Sequence, residues 1–190
     1  MSLILLAVFV LVIVFAGIWV MKTYNKMVAR RINVESSFAQ IEVQLKRRYD
    51  LIPNLVETVK GYATHEKETF ENVTKARAEA MAANNDPHAD PAVQAAAEAA
   101  LTSSLINLRA IAENYPDLKA TENFQQLSEE LSSTENKIAV SRQVFNDTVN
   151  TYNTTIQQFP ASAVAGMFKF EAKEFFDAPD GVEVAPAVSF

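Results

Sequence analysis

The strongest constraint on this chain is an uncharged apolar run of twenty residues, from Ser2 to Met21, which reads SLILLAVFVLVIVFAGIWVM. As one helix rising about 1.5 Å per residue, this run would cross a hydrocarbon core roughly 30 Å thick. A signal peptide would show a basic n-region, a shorter apolar stretch and a small-x-small cleavage site, which are missing here. We therefore predict that residues 1–21 are a retained transmembrane anchor in contact with membrane lipid.

Basic residues follow the anchor and predict its orientation. They are Lys22, Lys26, Arg30 and Arg31. The positive-inside rule places this flank, with the large domain behind it, on the cytoplasmic side, and Trp19 and Tyr24 fit an interfacial aromatic belt at the same end. If these cations only solvate a helix face, a periplasmic body stays open.

Charge is unevenly distributed beyond the anchor. Residues 22–48 carry a net charge of +5 and residues 49–190 a net charge of −11, which together give −6 for the chain. A basic segment near the bilayer favours anionic lipid, whereas an acidic body argues against a nucleic-acid partner. The chain has no cysteine, which excludes a disulfide framework and a lipidated N-terminal cysteine.

After the anchor, apolar residues recur at heptad-like spacing in four stretches separated by proline-bearing breaks, and strand signatures are missing. The pattern predicts an all-α chain with a helical bundle over residues 22–160. The first stretch, through Val34 and Leu45, continues out of the anchor. Asp50 and Pro53 then predict the start of a second helix, and a proline kink in a continuous helix is the alternative.

A polar turn separates the second and third stretches. The second runs over residues 52–80, and Gly61 within it indicates a close helix approach or a bend. Residues 84–91 have the composition of a chain reversal, and the third helix is predicted to begin near Pro91. Residues 114–119, which include a proline, form the next break.

The fourth stretch has the most regular period. Large apolar residues recur at every seventh position, at Phe124, Leu131, Ile138, Phe145, Tyr152 and Phe159. Most of the intervening seam positions are Ser or Thr, whose hydroxyls can bond back to carbonyls of their own helix. The period predicts one long helix with bundle or coiled-coil packing. We expect this seam to lie in the chain's own core, and a surface for another copy is the alternative.

Two segments follow Pro160. Residues 161–176 hold an aromatic cluster, made of Met167, Phe168, Phe170, Phe175 and Phe176, with Lys169 and Lys173 interleaved. We expect this aromatic C-terminal segment to dock on the bundle, because exposed apolar clusters are rare on monomers. Contact with lipid or with a partner is the alternative. Residues 177–190 have the composition of a flexible tail.

Several motifs closely resemble those of the LemA family of bacterial membrane-anchored proteins. The most specific is QLKRRYDLIPNLVETVKGY, from Gln44 to Tyr62, and others are ENYPDLKA from Glu113, TEN from Thr134, Tyr152-Asn153 and Phe159-Pro160. The resemblance covers roughly residues 1–176. It implies a single-pass anchor in the bacterial inner membrane, an antiparallel four-helix bundle and a cytoplasmic body, and it does not imply an enzyme.

The chain departs from this family pattern at two places. Residues 141–146 read SRQVFN, where relatives often have a run of the type ARYYN, which puts a partner surface built on those aromatics in question. The extension beyond Phe176 is also outside the pattern.

The sequence offers no catalytic or cofactor constellation. His65-Glu66 resembles the start of a zinc-protease helix, but Thr69 replaces the second histidine, and His88 falls in a predicted loop. A nucleotide-binding glycine loop, a cysteine nucleophile and a serine elbow are missing. We therefore expect no enzyme activity, no cofactor and no metal.

Residues 46–60 hold the candidate contact site, because cations, a predicted helix cap and a proline crowd together there. One hypothesis is contact with a partner or second subunit, in which Arg47 and Arg48 pair with acidic groups such as Glu129, Glu130 or Glu135. The other is a helix end stabilised by cations beside a capped restart. The candidate contact residues are Lys46, Arg47, Arg48, Tyr49, Asp50, Pro53 and Asn54, with Phe145, Tyr152 and Phe159 on the seam.

Two function classes fit these features. The first is a non-enzymatic, membrane-anchored scaffold that forms homo-oligomers through its bundle faces. The alternative is an accessory or adaptor subunit that presents the bundle to a membrane enzyme or transporter. A hydrolase that uses scattered carboxylates would need an apolar pocket with a raised carboxylate pKa, and nothing in the sequence predicts one.

Overall fold

The computed structural model describes residues 2–86 and 91–176, and these ranges are helical with no β-strand. Within them the helices are α1 (Ser2–Lys60), α2 (Lys67–Asn85), α3 (Pro91–Ala112), α4 (Pro116–Lys119), α5 (Glu122–Gln157) and α6 (Ala161–Met167). The all-α class predicted from the apolar spacing is confirmed. The tail predicted over residues 177–190 lies outside the described residues.

The helices belong to two compact units. Among the described residues, 2–41 and 141–175 form the N-terminal unit, and 42–86, 91–140 and Phe176 form the central unit. Helices α1 and α5 each contribute a segment to both units.

Helix α1 begins with the apolar run. By length and composition it is the one described helix able to cross a membrane, and none of the apolar window is buried within the protein. Leu3, Leu11 and Phe15 remain 82%, 67% and 75% exposed. The predicted single apolar N-terminal helix is therefore present, with the surface that lipid would cover.

The predicted helix start at Asp50 is wrong, because α1 continues without interruption through Pro53 to Lys60. Proline removes one helical hydrogen bond and crowds the preceding turn. Ile52, Leu55 and Val59 are each 1% exposed or less, so tertiary packing holds the helix together on both sides of the proline. The alternative, a continuous helix that contains the proline, is what the structure shows.

The break falls instead at residues 61–66, inside the second predicted stretch, which therefore forms two helices rather than one. Tyr62 and Ala63 both donate their backbone N–H to the Val59 carbonyl, at 3.0 and 2.9 Å, as α1 ends. A Cβ on Gly61 would lie 3.5 Å from the Thr58 carbonyl oxygen, an ordinary contact. Gly61 thus marks a bend and not a close helix approach.

The central unit has a core built from every helix segment that it contains. Its buried apolar residues include Leu45, Ile52, Leu55 and Val59 of α1, Phe70, Val73 and Ala80 of α2, Leu101, Leu105 and Leu108 of α3, Leu118 of α4, and Leu131 and Ile138 of α5. Residues 116–119, predicted as a break, form the one-turn helix α4, because burial of Leu118 holds this turn against the core.

In the N-terminal unit, α1 packs against the second half of α5. The Phe38 and Phe145 rings lie 5.6 Å apart, and the Ser37 and Thr148 hydroxyls lie 2.8 Å apart.

Along the α5 seam, the hydroxyls of Thr134, Thr148 and Thr155 each donate to a carbonyl of α5, as the sequence predicted. Of the large seam residues, Leu131, Ile138, Phe145 and Tyr152 are buried within the chain, whereas Phe159 is 89% exposed.

The aromatic C-terminal segment docks within the N-terminal unit. The Phe168 and Phe170 rings lie 4.8 and 5.6 Å from the Tyr24 ring. Tyr152 donates to the Glu171 carbonyl at 2.8 Å, and Asn153 exchanges two hydrogen bonds with the Lys173 backbone. The docking expected from the sequence is confirmed for residues 168–173.

Candidate functional site

A buried polar cluster in the central unit is centred on Arg48 and Glu98. These two side chains are 2% and 4% exposed. The Arg48 guanidinium donates to Glu98 Oε2 at 2.8 Å. Burial of two charges is costly, and such a pair persists only where good geometry and further hydrogen bonds offset the lost hydration.

Further polar groups complete the shell around this pair. Tyr49 donates its hydroxyl hydrogen to Glu98 Oε1, and Asn84 Nδ2 donates to the same oxygen and to the Tyr49 hydroxyl, both at 2.8 Å. Arg48 also donates to the Thr102 hydroxyl at 2.7 Å. The Glu98 carboxylate thus accepts three hydrogen bonds from three different side chains.

Glu135 of α5 closes the cluster. Its Oε1 atom lies 3.1 Å from Arg48 Nε, an ion-pair distance, although the N–H direction is not aligned for a hydrogen bond. Its side chain is 32% exposed, so Glu135 adds a partly solvated charge to a buried one. Helices α1, α2, α3 and α5 therefore each supply at least one side chain to the cluster.

Electrostatics keep the Tyr49 hydroxyl protonated. Burial, and then the neighbouring Glu98 carboxylate, raise the pKa of Tyr49 well above its usual range, while Arg48 and Asn84 oppose this shift more weakly. A neutral tyrosine is the form that can donate to Glu98, so the shift and the hydrogen bond favour the same state.

Arg77 of α2 supports the cluster from the backbone side. Its Nε donates to the Tyr49 carbonyl oxygen at 2.7 Å. In an uninterrupted helix this carbonyl would accept from the amide four residues on, but that residue is Pro53, which has no N–H. Arg77 therefore supplies the donor that Pro53 cannot, which explains how α1 continues through the proline.

The ten residues predicted as a contact site do not form one surface. Arg48 and Tyr49 are buried in the central unit, and Phe145 and Tyr152 in the N-terminal unit. The exposed members are Lys46, Asp50, Pro53, Asn54 and Phe159, together with the half-exposed Arg47. For the exposed members, contact with a partner stays a prediction. The buried four face their own chain in this structure.

The cations predicted to pair across a contact with a partner or second subunit have acidic neighbours within their own chain. Arg47 lies 3.6 Å from Glu130 and Arg48 lies 3.1 Å from Glu135, whereas Glu129 is exposed. Lys46 pairs with Asp50 on the surface at 3.3 Å. The hypothesis of a helix end at this point is wrong, because α1 runs on to Lys60.

Sequence reasoning missed the acidic centre of the cluster. Glu98 lies three residues before Leu101 and thus continues the apolar seam of Leu101, Leu105 and Leu108 in the N-terminal direction. A carboxylate on the buried stripe of an alanine-rich helix was the available signal. Asn84, Thr102 and Arg77 carried no comparable signal, because their partners lie on other helices.

Within residues 2–86 and 91–176, no group of three or more His, Asp or Glu side chains is placed to hold a metal ion. The cluster instead pairs each charge with protein donors and acceptors. These directional bonds join side chains from four helices of the central unit.

The sequence model of the LemA family matches residues 37–190, which is most of the chain. The match continues past Phe176, so the expectation that the extension beyond that residue lies outside the family pattern is wrong.

Curated relatives agree with this assignment. Magnetosome protein MamQ of Magnetospirillum gryphiswaldense is 24% identical, over 90% of this chain and 71% of its own length. Magnetosome protein MamQ 2 of Paramagnetospirillum magneticum is 23% identical, over 80% of this chain and 64% of its own length. Protein LemA of Metamycoplasma hominis is 25% identical, over 74% of this chain and 63% of its own length. The chain thus matches less than two thirds of the length of the second and third of these relatives.

Proposed function

This chain belongs to the LemA family, and from that premise we propose that it is a non-enzymatic, membrane-anchored helical bundle that acts as a self-associating scaffold. In this proposal residues 2–21 contact membrane lipid, the chain crosses the bacterial inner membrane once, and the helical body lies on the cytoplasmic side. The exposed apolar window of α1 and the cations that follow it support this placement.

We propose that α1, α2, α3 and α5 pack in the central unit as an antiparallel four-helix bundle. The buried cluster supports this arrangement, because Arg48, Asn84, Glu98 and Glu135 meet from four helices. A polar network with directional bonds favours one helix register over others. Such a bundle presents a well-defined outer surface, as a scaffold requires.

One observation carries the self-association proposal. Large apolar side chains outside the anchor remain uncovered on the central unit, with Val43 63%, Ile106 59% and Val140 61% exposed. The part of the α5 seam from Leu131 to Tyr152 is buried within the chain. Contact between copies would therefore use exposed apolar side chains such as Val43, Ile106 and Val140. Burial of uncovered apolar area is the main driving force of protein association.

The alternative is an accessory or adaptor subunit, in which the same apolar side chains contact a membrane enzyme or transporter. Both functions leave the chain without catalysis and without a cofactor. They differ in whether the protein that contacts the chain is a second copy or a different membrane protein, and the experiment must identify that protein.

Cysteine cross-linking tests the proposal directly, because the natural chain has no cysteine. Val43→Cys and Val140→Cys, each introduced alone into the full chain, would be treated with a short bismaleimide in native membranes. Gln126→Cys, at an exposed polar position of α5, is the matched control. A cross-linked dimer at the valine positions and not at the control supports the scaffold. Cross-links only to a different protein would favour the adaptor.

A further inference from the structure

The membrane-proximal end of the N-terminal unit carries uncovered apolar side chains that the docked C-terminal segment does not bury. Phe159 is 89%, Met167 70% and Phe168 47% exposed. We call these three residues the interfacial collar. Docking of the segment leaves them uncovered, although Phe168 itself contacts the Tyr24 ring at 4.8 Å.

Contacts with α1 place Phe168 of this collar next to the apolar run. Tyr24 follows Met21 by three residues, or about 4.5 Å along a helix. Phe168 and Phe170 both contact the Tyr24 ring. The segment is therefore held at the first helical turn outside the predicted hydrocarbon core.

The antiparallel register of α5 against α1 brings Phe159 to the level of Tyr24. Thr148 meets Ser37, and Phe145 meets Phe38, so later residues of α5 meet earlier residues of α1. Fourteen residues on from Phe145 and fourteen back from Phe38 are Phe159 and Tyr24. The end of α5 and the end of α6 thus both return to the base of the apolar run.

Backbone hydrogen bonds in the turn after α6 fix the position of Phe170. Phe170 donates its N–H to the Ala165 carbonyl at 2.9 Å, and Lys169 donates to the Gly166 carbonyl at 3.4 Å, while Lys169 has a φ of 56°. This is the Schellman pattern of a helix end. It turns the chain so that Phe170 meets Tyr24, and the Arg31 guanidinium lies 5.6 Å from the Phe170 ring.

Exposed cations surround the same level. Lys22, Lys26 and Lys169 are all exposed. Lysines at this depth keep their charge near headgroups while their aliphatic stems rest on apolar surface. Aromatic side chains with flanking cations are the composition found at a bilayer interface.

We infer that the interfacial collar of Phe159, Met167 and Phe168 inserts among lipid headgroups beside α1, so that the C-terminal segment is a second membrane contact of this chain. The inference rests on the proposed membrane anchor. Lipid is the expected contact because the collar lies at the level where the exposed apolar run of α1 ends, and because cations flank the collar.

Tryptophan quenching by lipid tests this inference. Trp19 is the sole tryptophan, so a Trp19→Phe background allows Phe159→Trp or Phe168→Trp to be the one fluorophore. Full-length protein would be reconstituted in phosphatidylcholine vesicles with and without bromine on the upper acyl chain. Phe38→Trp is the matched control, since Phe38 is 36% exposed in the same unit and lies about 25 Å beyond Met21 along α1.

We expect quenching at both collar positions to be several times that of the Phe38→Trp control. Equal, weak quenching at all three positions overturns the inference and leaves the collar to a protein partner. The unaltered chain reports the anchor itself, because Trp19 lies within the apolar run. Loss of quenching at Trp19 would overturn the membrane anchor together with the collar, whereas quenching at Trp19 alone would overturn only the collar. Circular dichroism of each variant checks that the helices are intact.

Discussion

Arg77 Nε donates to the Tyr49 carbonyl at 2.7 Å, and this carbonyl is the one that Pro53 leaves without a helical donor. Arg77 and Tyr49 are on different helices and 28 positions apart in sequence. Their relationship explains why a proline lies inside a 59-residue helix rather than at its boundary. It also ties α2 to the turn of α1 that carries Arg48 and Tyr49.

A double-mutant cycle tests this relationship. Arg77→Met leaves a carbonyl without its donor and is expected to cost about 1–3 kcal/mol of the free energy of unfolding. In a Pro53→Ala background the alanine amide supplies the donor, so the same change should cost much less. Urea unfolding of the full chain in mild detergent measures both. Equal costs in the two backgrounds would show that Arg77 does not act by supplying the donor that Pro53 lacks.

Arg48 is expected to be among the most sensitive positions in the chain. Arg48→Met leaves the Glu98 carboxylate buried without its cation, and we predict a loss of about 3–5 kcal/mol. Arg47→Met is the matched control, since its pair with Glu130 is 49% and 40% exposed and contributes less than about 1 kcal/mol.

The double variant Arg48→Met with Glu98→Leu separates an unpaired charge from lost packing. Replacement of both members by apolar residues should recover most of the stability. If the double variant is as unstable as Arg48→Met alone, the cost lies in side-chain packing and in the hydrogen bonds that Tyr49 and Asn84 make to Glu98, and not in the unpaired charge.

Stability should fall in alkaline solution because of Tyr49. The hydroxyl titrates near 10.0 when unperturbed, and burial beside Glu98 raises its pKa in the folded chain. Above pH 10 the unfolded chain therefore loses a proton that the folded chain retains, and the free energy of unfolding decreases as pH rises. Burial also raises the pKa of Tyr152, which adds to the decrease.

Tyr49→Phe should lessen this alkaline decrease, since phenylalanine has no proton to lose. Tyr62→Phe is the control, because Tyr62 is 45% exposed in the turn after α1. Thermal unfolding between pH 8 and 11 compares the slopes. A slope unchanged by Tyr49→Phe would assign the alkaline loss to other groups.

Glycine at position 169 is predicted to stabilise the chain. Lys169 occupies the left-handed region, with a φ of 56°, where a side chain costs about 1 kcal/mol and glycine costs none. Lys169→Gly should therefore raise the free energy of unfolding by roughly that amount. Lys173→Gly removes the same charge at a position without a positive φ. A gain of the same size at both positions would assign the effect to charge.

The sequence predicts best what local periodicity decides. The seven-residue period over 124–159 coincides closely with α5 (Glu122–Gln157), because each period buries its own residues along one stripe. The start of α3 at Pro91 and the single apolar N-terminal helix also follow from local composition.

The sequence predicts poorly where a distant residue changes the local balance. From the local sequence, Pro53 predicts a helix boundary, but Arg77 supplies a donor to the Tyr49 carbonyl and the helix continues. Arg48 similarly predicts a surface cation, but it pairs with Glu98, fifty residues away. The local sequence correctly indicates that a proline within a helix and a buried cation are each costly. In both cases a side chain from another helix offsets that cost. Of these partners, only Glu98 could be found from the sequence, because it is a carboxylate on the apolar stripe of α3.

The particle mass of the full chain tests most directly whether it associates with itself as a scaffold. Light scattering of the full-length protein in mild detergent, with the micelle contribution subtracted, measures the protein mass of the particle. We expect a defined multiple of 21.0 kDa, at least two copies, that falls toward one copy when Val43 and Val140 are both changed to Ser. A particle of 21.0 kDa at all concentrations would rule out self-association and favour an adaptor for a different membrane protein.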